Sequence, residues 1–109
     1  MAGSNGETPV LDLLARMTEA SIEASSLEAR ELMLVRIAAL AAVDAPPVSY
    51  AMNLEAAVDV GIDAEQVSGI LAAIAPIVGT VRVASATAAI VGALALELEV
   101  AELDSYGGN

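Results

Sequence analysis

Residues 44–47 read Asp-Ala-Pro-Pro, and no helix runs through such a stretch. Each proline lacks an N–H and locks its φ angle, and the residue before it is pushed out of the helical region. Both flanks are rich in helix formers: "LEARELMLVRIAALAAV" over 27–43 and "PVSYAMNLEAAVDV" over 47–60. The chain is therefore constrained to be helices joined by tight turns. No segment carries the period-2 alternation of a half-buried strand, so the expected class is all-α.

The remaining boundaries are signalled locally. Thr8 followed by Pro9 is a hydroxyl cap with proline at the first helical position, and Val10, Leu13, Leu14, Met17 and Ile22 follow at helical spacing. This predicts a helix over about 9–24. Ser25 with Glu28 fits a capping box that opens a second helix, about 27–43. Its second half is apolar all round and is expected to be buried. A third helix, 47–60, ends at Gly61 as its C-terminal cap. Asp63 with Gln66 is another capping box, opening a helix over 64–75, and Pro76 and Gly79 predict a kink or break. Thr80 restarts a helix that runs to about 101. Within it Ala84, Ala88, Val91, Ala95 and Leu98 form a stripe, with Ala86, Ala89, Gly92 and Ala93 beside it. Small side chains let helices approach closely, in a core or at a subunit interface. The expected organisation is a leader over 1–8, one domain of about five helices over 9–102, and a flexible tail over 103–109.

Composition decides how such a bundle can exist in water. The chain has 109 residues and is 57 % apolar, above the roughly 45–50 % usual for soluble domains. A domain this small cannot cover that much apolar surface alone, so a homo-oligomer is expected. A membrane span is not: Arg82 and Pro76 interrupt the apolar runs, and spanning needs about 20 apolar residues without a central charge. No basic, secretory-type n-region opens the chain, and a cytoplasmic location is the expectation. Net charge is −11, with four Arg and no Lys, which argues against binding nucleic acid or an anionic bilayer. There is no Cys and no His. Disulfides, thiol chemistry and imidazole bases are excluded, and zinc almost so. No cofactor or metal site is expected.

Against this apolar background a few polar residues stand out. Ser49, Tyr50, Asn53 and Glu55 fall just after the Pro-Pro turn. Tyr50 and Asn53 are three apart and share a helix face. A phenol and an amide facing one pocket can polarise a carbonyl or orient a small acid; the plainer reading is a packed tyrosine ring with a wet hydroxyl beside a rim amide. Glu31, if buried, has the raised pKa of a general acid or base, whereas in the first turn of a helix it simply complements the dipole. Arg36, in "LMLVRIAAL", needs a partner if buried: a substrate carboxylate held by its planar fork, or a structural acid. Arg82 has the same two readings. Glu55 and Asp59 lie on a separate face and read as solvated.

The stretch "LEARELMLVRIAALAAVDAPPVSYAMNLEAAVDVGIDAEQVSGIL", continued by "IAPIVGTVRVASATAAIVGAL", resembles the carboxymuconolactone decarboxylase family with its AhpD-like helical fold. The resemblance covers about residues 10–100 and rests on helix order and pattern. It implies a helical subunit assembled as a homo-oligomer, a trimer or hexamer. It further implies chemistry centred on a Glu of the "REL" helix and, in the redox branch, on a Cys-x-x-Cys followed by His. Counting back from Gly61, the His position falls on Asn53 and the Cys positions on Ser49 and Pro46; counting forward from Glu31 places Tyr50 at the His position. Thiol peroxidase chemistry is excluded in either register. Two functions follow. One is a cofactor-free lyase or isomerase on a small carboxylate-bearing substrate, with Glu31, Tyr50 and Asn53 as catalytic groups and Arg36 and Ser49 as substrate-binding groups. The other is a non-catalytic homo-oligomeric assembly protein that kept the fold and lost the site.

Overall fold

The computed structural model describes residues 8–107, with side-chain surroundings through Leu94. Five α-helices follow one another: α1 (Pro9–Ala24), α2 (Ala29–Ala42), α3 (Pro47–Asp59), α4 (Ala64–Val78) and α5 (Thr80–Gly107). Among the described residues there is no strand, as the missing alternation requires. The expected leader lies almost wholly outside the described residues.

Three of the helix boundaries depart from expectation, two of them for identifiable reasons. α2 starts at Ala29, after Glu28, because the Glu28 backbone N–H donates to the Glu31 carboxylate at 3.2 Å. Ser25 is not the cap. Its hydroxyl oxygen instead accepts from the Leu27 backbone N–H at 3.1 Å, in the turn between α1 and α2. Pro76 sits inside α4, and the break comes three residues later at Gly79. The carbonyl that the proline leaves without a donor belongs to Ala72, an exposed residue, so water can satisfy it. At Gly79 φ is +89°, the left-handed conformation that glycine adopts without a Cβ penalty. α5 continues to Gly107, beyond the end near 101 that the sequence suggests. The Asp63–Gln66 capping box forms as expected, with both reciprocal bonds made at 2.9 and 3.1 Å.

The core lies where α2, α3, α4 and α5 meet. It consists of Met33, Ile37 and Ala41 from α2, Tyr50, Leu54 and Ala57 from α3, Ile62, Ile70 and Leu71 around α4, and Ala86, Ala89, Ile90 and Ala93 from α5. The alanines of α5 do what small residues allow: the backbone comes close enough that a Cβ on Gly92 would touch Pro47 Cγ at 3.4 Å. The buried face of α5 is 86/89/90/93, however. The stripe of Ala84, Ala88 and Val91 is exposed, and Ala95 and Leu98 lie outside the described side chains. The second half of α2 is likewise covered on one face only, with Val35 and Val43 exposed.

α1 takes no part in this core. Not one of its residues is buried, and Val10, Leu11, Leu13, Leu14, Met17 and Ile22 are each about half exposed or more. It touches the rest of the chain through its C-terminal half, where Ser21 meets Arg36. The radius of gyration, 15.5 Å, exceeds the about 13 Å of a close-packed chain of this length. A 28-residue α5 spanning about 42 Å and a first helix that stands off the core account for the difference.

Ile37, fully buried at the centre of α2, should be the most sensitive core position. Ile37→Ala is expected to cost about 2–5 kcal/mol, read as a lower midpoint in urea unfolding. The exposed Val35→Ala should cost well under half of that.

Candidate functional site

The turn between α2 and α3 is where the sequence placed its polar cluster, and it is built from backbone hydrogen bonds. Asp44 has φ +57°, a left-handed conformation that costs a non-glycine residue roughly 1–2 kcal/mol. With it there, the Ala45 N–H reaches the Leu40 carbonyl at 3.0 Å and the Asp44 N–H reaches Ala41 at 3.2 Å, closing the end of α2. α5 fastens this turn from the side. Arg82 Nη1 donates to the Ala42 carbonyl at 2.6 Å and Ser85 Oγ donates to the Asp44 carboxylate at 2.5 Å. Arg82 therefore has a structural partner, and its charge sits at the negative end of the α2 dipole. Asp44 and Ser85 are the residues that sequence reading missed. The available signal was an Asp at the end of a helix just before Ala-Pro-Pro, since Asp tolerates the left-handed region better than most residues.

Tyr50 lies one turn into α3, on the side facing the core. It is completely buried, and its hydroxyl has no hydrogen-bond partner among the described residues. Burial raises its pKa above the ordinary tyrosine value, and the Asp44 carboxylate pushes it further in the same direction. The hydroxyl is buried, not wet, and Tyr50 lines neither the cleft between α1, α2 and α3 nor the one between α3, α4 and α5. Ser49 is half-buried, and its backbone carbonyl accepts the Asn53 side-chain amide at 2.8 Å.

Asn53 faces a different space. A cleft of about 420 Å³ opens between α1, α2 and α3, with Met33 and Met52 among its apolar walls and Thr18, Arg36 and Asn53 as its polar lining. Arg36 enters half-buried and donates to Ser21 Oγ at 3.1 Å. No carboxylate among the described residues pairs with it. Its remaining guanidinium donors have a geometry suited to a planar carboxylate. Glu31 does not line the cleft; it is exposed and occupied with the cap of α2. Glu55 and Asp59 are exposed, as a solvated face requires. So the structure brings Arg36 and Asn53 to one cleft; Glu31, Ser49 and Tyr50 do not line it, and Ser49 touches Asn53 only through its backbone carbonyl. Among the described residues no three acidic groups converge to hold a metal ion, and no helix is long and apolar enough to cross a membrane.

The buried phenol has two measurable consequences. Removing an unpartnered hydroxyl removes a desolvation penalty, so Tyr50→Phe should hold or raise the thermal midpoint. The pH dependence follows from the raised pKa: the folded state keeps its proton above pH 10 while the unfolded state loses it, so stability falls as pH rises beyond the ordinary tyrosine value. Tyr50→Phe should flatten that alkaline loss in denaturant unfolding between pH 9 and 11.

No curated protein and no solved structure matches the chain significantly. The model of the carboxymuconolactone decarboxylase family matches residues 8–91, from the cap of α1 to the buried face of α5 and including both sides of the α2–α3 turn. The chain belongs to the carboxymuconolactone decarboxylase family.

Proposed function

We propose that the chain acts as a homo-oligomeric, non-catalytic member of its family, in which α1 of one copy packs on another. The observation that carries this is the state of α1: six large apolar side chains, each about half exposed or more, on a helix with no buried residue. Completing the burial of each contributes roughly 1 kcal/mol. Together they do little more than offset the low end of the association cost, about 4 kcal/mol. A second contact is therefore needed. The exposed Ala84, Ala88 and Val91 of α5, with Val81 and Ile77 near the α4–α5 break, are further apolar surface open to such a contact. A ring of three copies, or two such rings, is the assembly we favour, in the cytoplasm.

The choice of a non-catalytic role rests on the contents of the Arg36 cleft. Its polar lining is Thr18, Arg36 and Asn53, a set that binds and orients but has no group suited to moving protons near neutral pH. A second reading keeps the cleft useful: it holds a small carboxylate, with Arg36 as anchor, Asn53 as orienter and the methionines against the hydrocarbon. A lyase or isomerase working there would have to draw Glu31, Ser49 or Tyr50 out of the structural positions they occupy.

Light scattering on the full chain should give a multiple of the 10.9 kDa subunit mass, with three or six copies expected. Leu13→Glu with Leu14→Glu should reduce it to the monomer while helical content at α2–α5 persists; an unchanged mass would remove α1 from the interface. For the cleft, benzoate is the probe. Arg36→Met should weaken its binding about tenfold or more by calorimetry, the loss expected for a charge-assisted hydrogen bond.

A further inference from the structure

A second cleft, of about 300 Å³, lies between α3, α4 and α5. Its walls include Leu54, Ala57, Ile62, Leu71 and Ile90, all buried core residues. The polar lining is short: Asp63, Ser68 and Thr87. Thr87 Oγ1 is committed to the Val83 carbonyl at 2.9 Å, and Asp63 Oδ1 accepts from the Gln66 N–H at 2.9 Å. The second Asp63 oxygen and the Ser68 hydroxyl make no hydrogen bond among the described residues. The cleft is thus a hydrocarbon-lined space with two exposed polar residues, Asp63 and Ser68, on its lining.

We propose that this cleft is a binding site for a small apolar amine, its hydrocarbon body against Leu54, Ile62, Leu71 and Ile90 and its ammonium group at Asp63. Size supports the hydrocarbon part: an apolar cavity of about 150 Å³ accepts benzene, so this one has room for one ring and its substituents. Charge supports the head group. Asp63 is the only charged residue on the lining among the described residues, its full negative charge exceeds the about half positive charge of the α4 N-terminus that it caps, and the chain's net charge of −11 raises the local concentration of cations and lowers that of carboxylates. The Arg36 cleft has the opposite sign, so the two clefts sort guests by charge.

The test is an NMR titration of the full chain with three compounds of one shape: cyclohexylamine, cyclohexanol and cyclohexanecarboxylate. The amine is expected to shift the methyl signals of Ala57, Ile62 and Ile90 and to bind about threefold or more tightly than the alcohol, the gain open to an exposed ion pair. The carboxylate should leave those signals in place. Asp63→Asn keeps an N-cap acceptor and so keeps α4; it should bring the amine down to the affinity of the alcohol. Equal binding of amine and alcohol to the unaltered chain overturns the proposal, as does an amine preference that survives Asp63→Asn. Absence of any shift overturns it too. So do shifts that emerge only with Leu13→Glu and Leu14→Glu, because the cleft would then be filled by α1 of another copy.

Discussion

The left-handed turn at Asp44 is the constraint on which the rest of the arrangement depends. Prolines 46 and 47 force α2 to end, but the direction in which α3 leaves is set by Asp44 at φ +57° and by the two N–H groups that close on Leu40 and Ala41. An aspartate occupies a position that usually prefers glycine, and α5 supplies the reason it can. Ser85 holds its carboxylate and Arg82 holds the neighbouring Ala42 carbonyl. One turn thereby ties α2, α3 and α5 together. It also decides the fate of Tyr50, which enters the core beneath that turn with its hydroxyl near a carboxylate and without a partner.

How much of this was legible in the sequence depends on how local each cause is. α1, the start of α3 and the capping box of α4 were readable because Pro9, Pro47 and the Asp63–Gln66 pair act within one turn of themselves. The start of α2 was not, because Ser25 and Glu28 each stand three residues before an acid, and only geometry tells which pair closes. The link from Asp44 to Ser85 joins residues far apart in the chain, and nothing local announces it. The polar site shows the same limit. Tyr50 and Asn53 share a helix face by spacing, yet three residues leave their directions about 60° apart. That is enough to send one into the core and the other into the α1–α2–α3 cleft.

The family membership rests on the fold, and the contents of the site rest on where single side chains fall. The fold needs only helix signals, small residues on α5 and an apolar core, all present. The chemistry needs particular groups in one space. Here the carboxylate of Glu31 is a cap and the phenol of Tyr50 is a core residue, while Arg36 and Asn53 share the cleft. What the chain keeps in excess is apolar surface. Its 57 % apolar composition is resolved by the structure into definite places: all of α1, one face of α2 and the outer stripe of α5. Those are the surfaces that an assembly would cover.

Hydrogen exchange along α1 at two protein concentrations tests that claim most directly. If α1 is held by another copy, its amides over 10–22 exchange slowly at high concentration and lose that protection on dilution, while the amides around Ile37 and Tyr50 stay protected throughout. Fast exchange along α1 at every concentration would contradict the account.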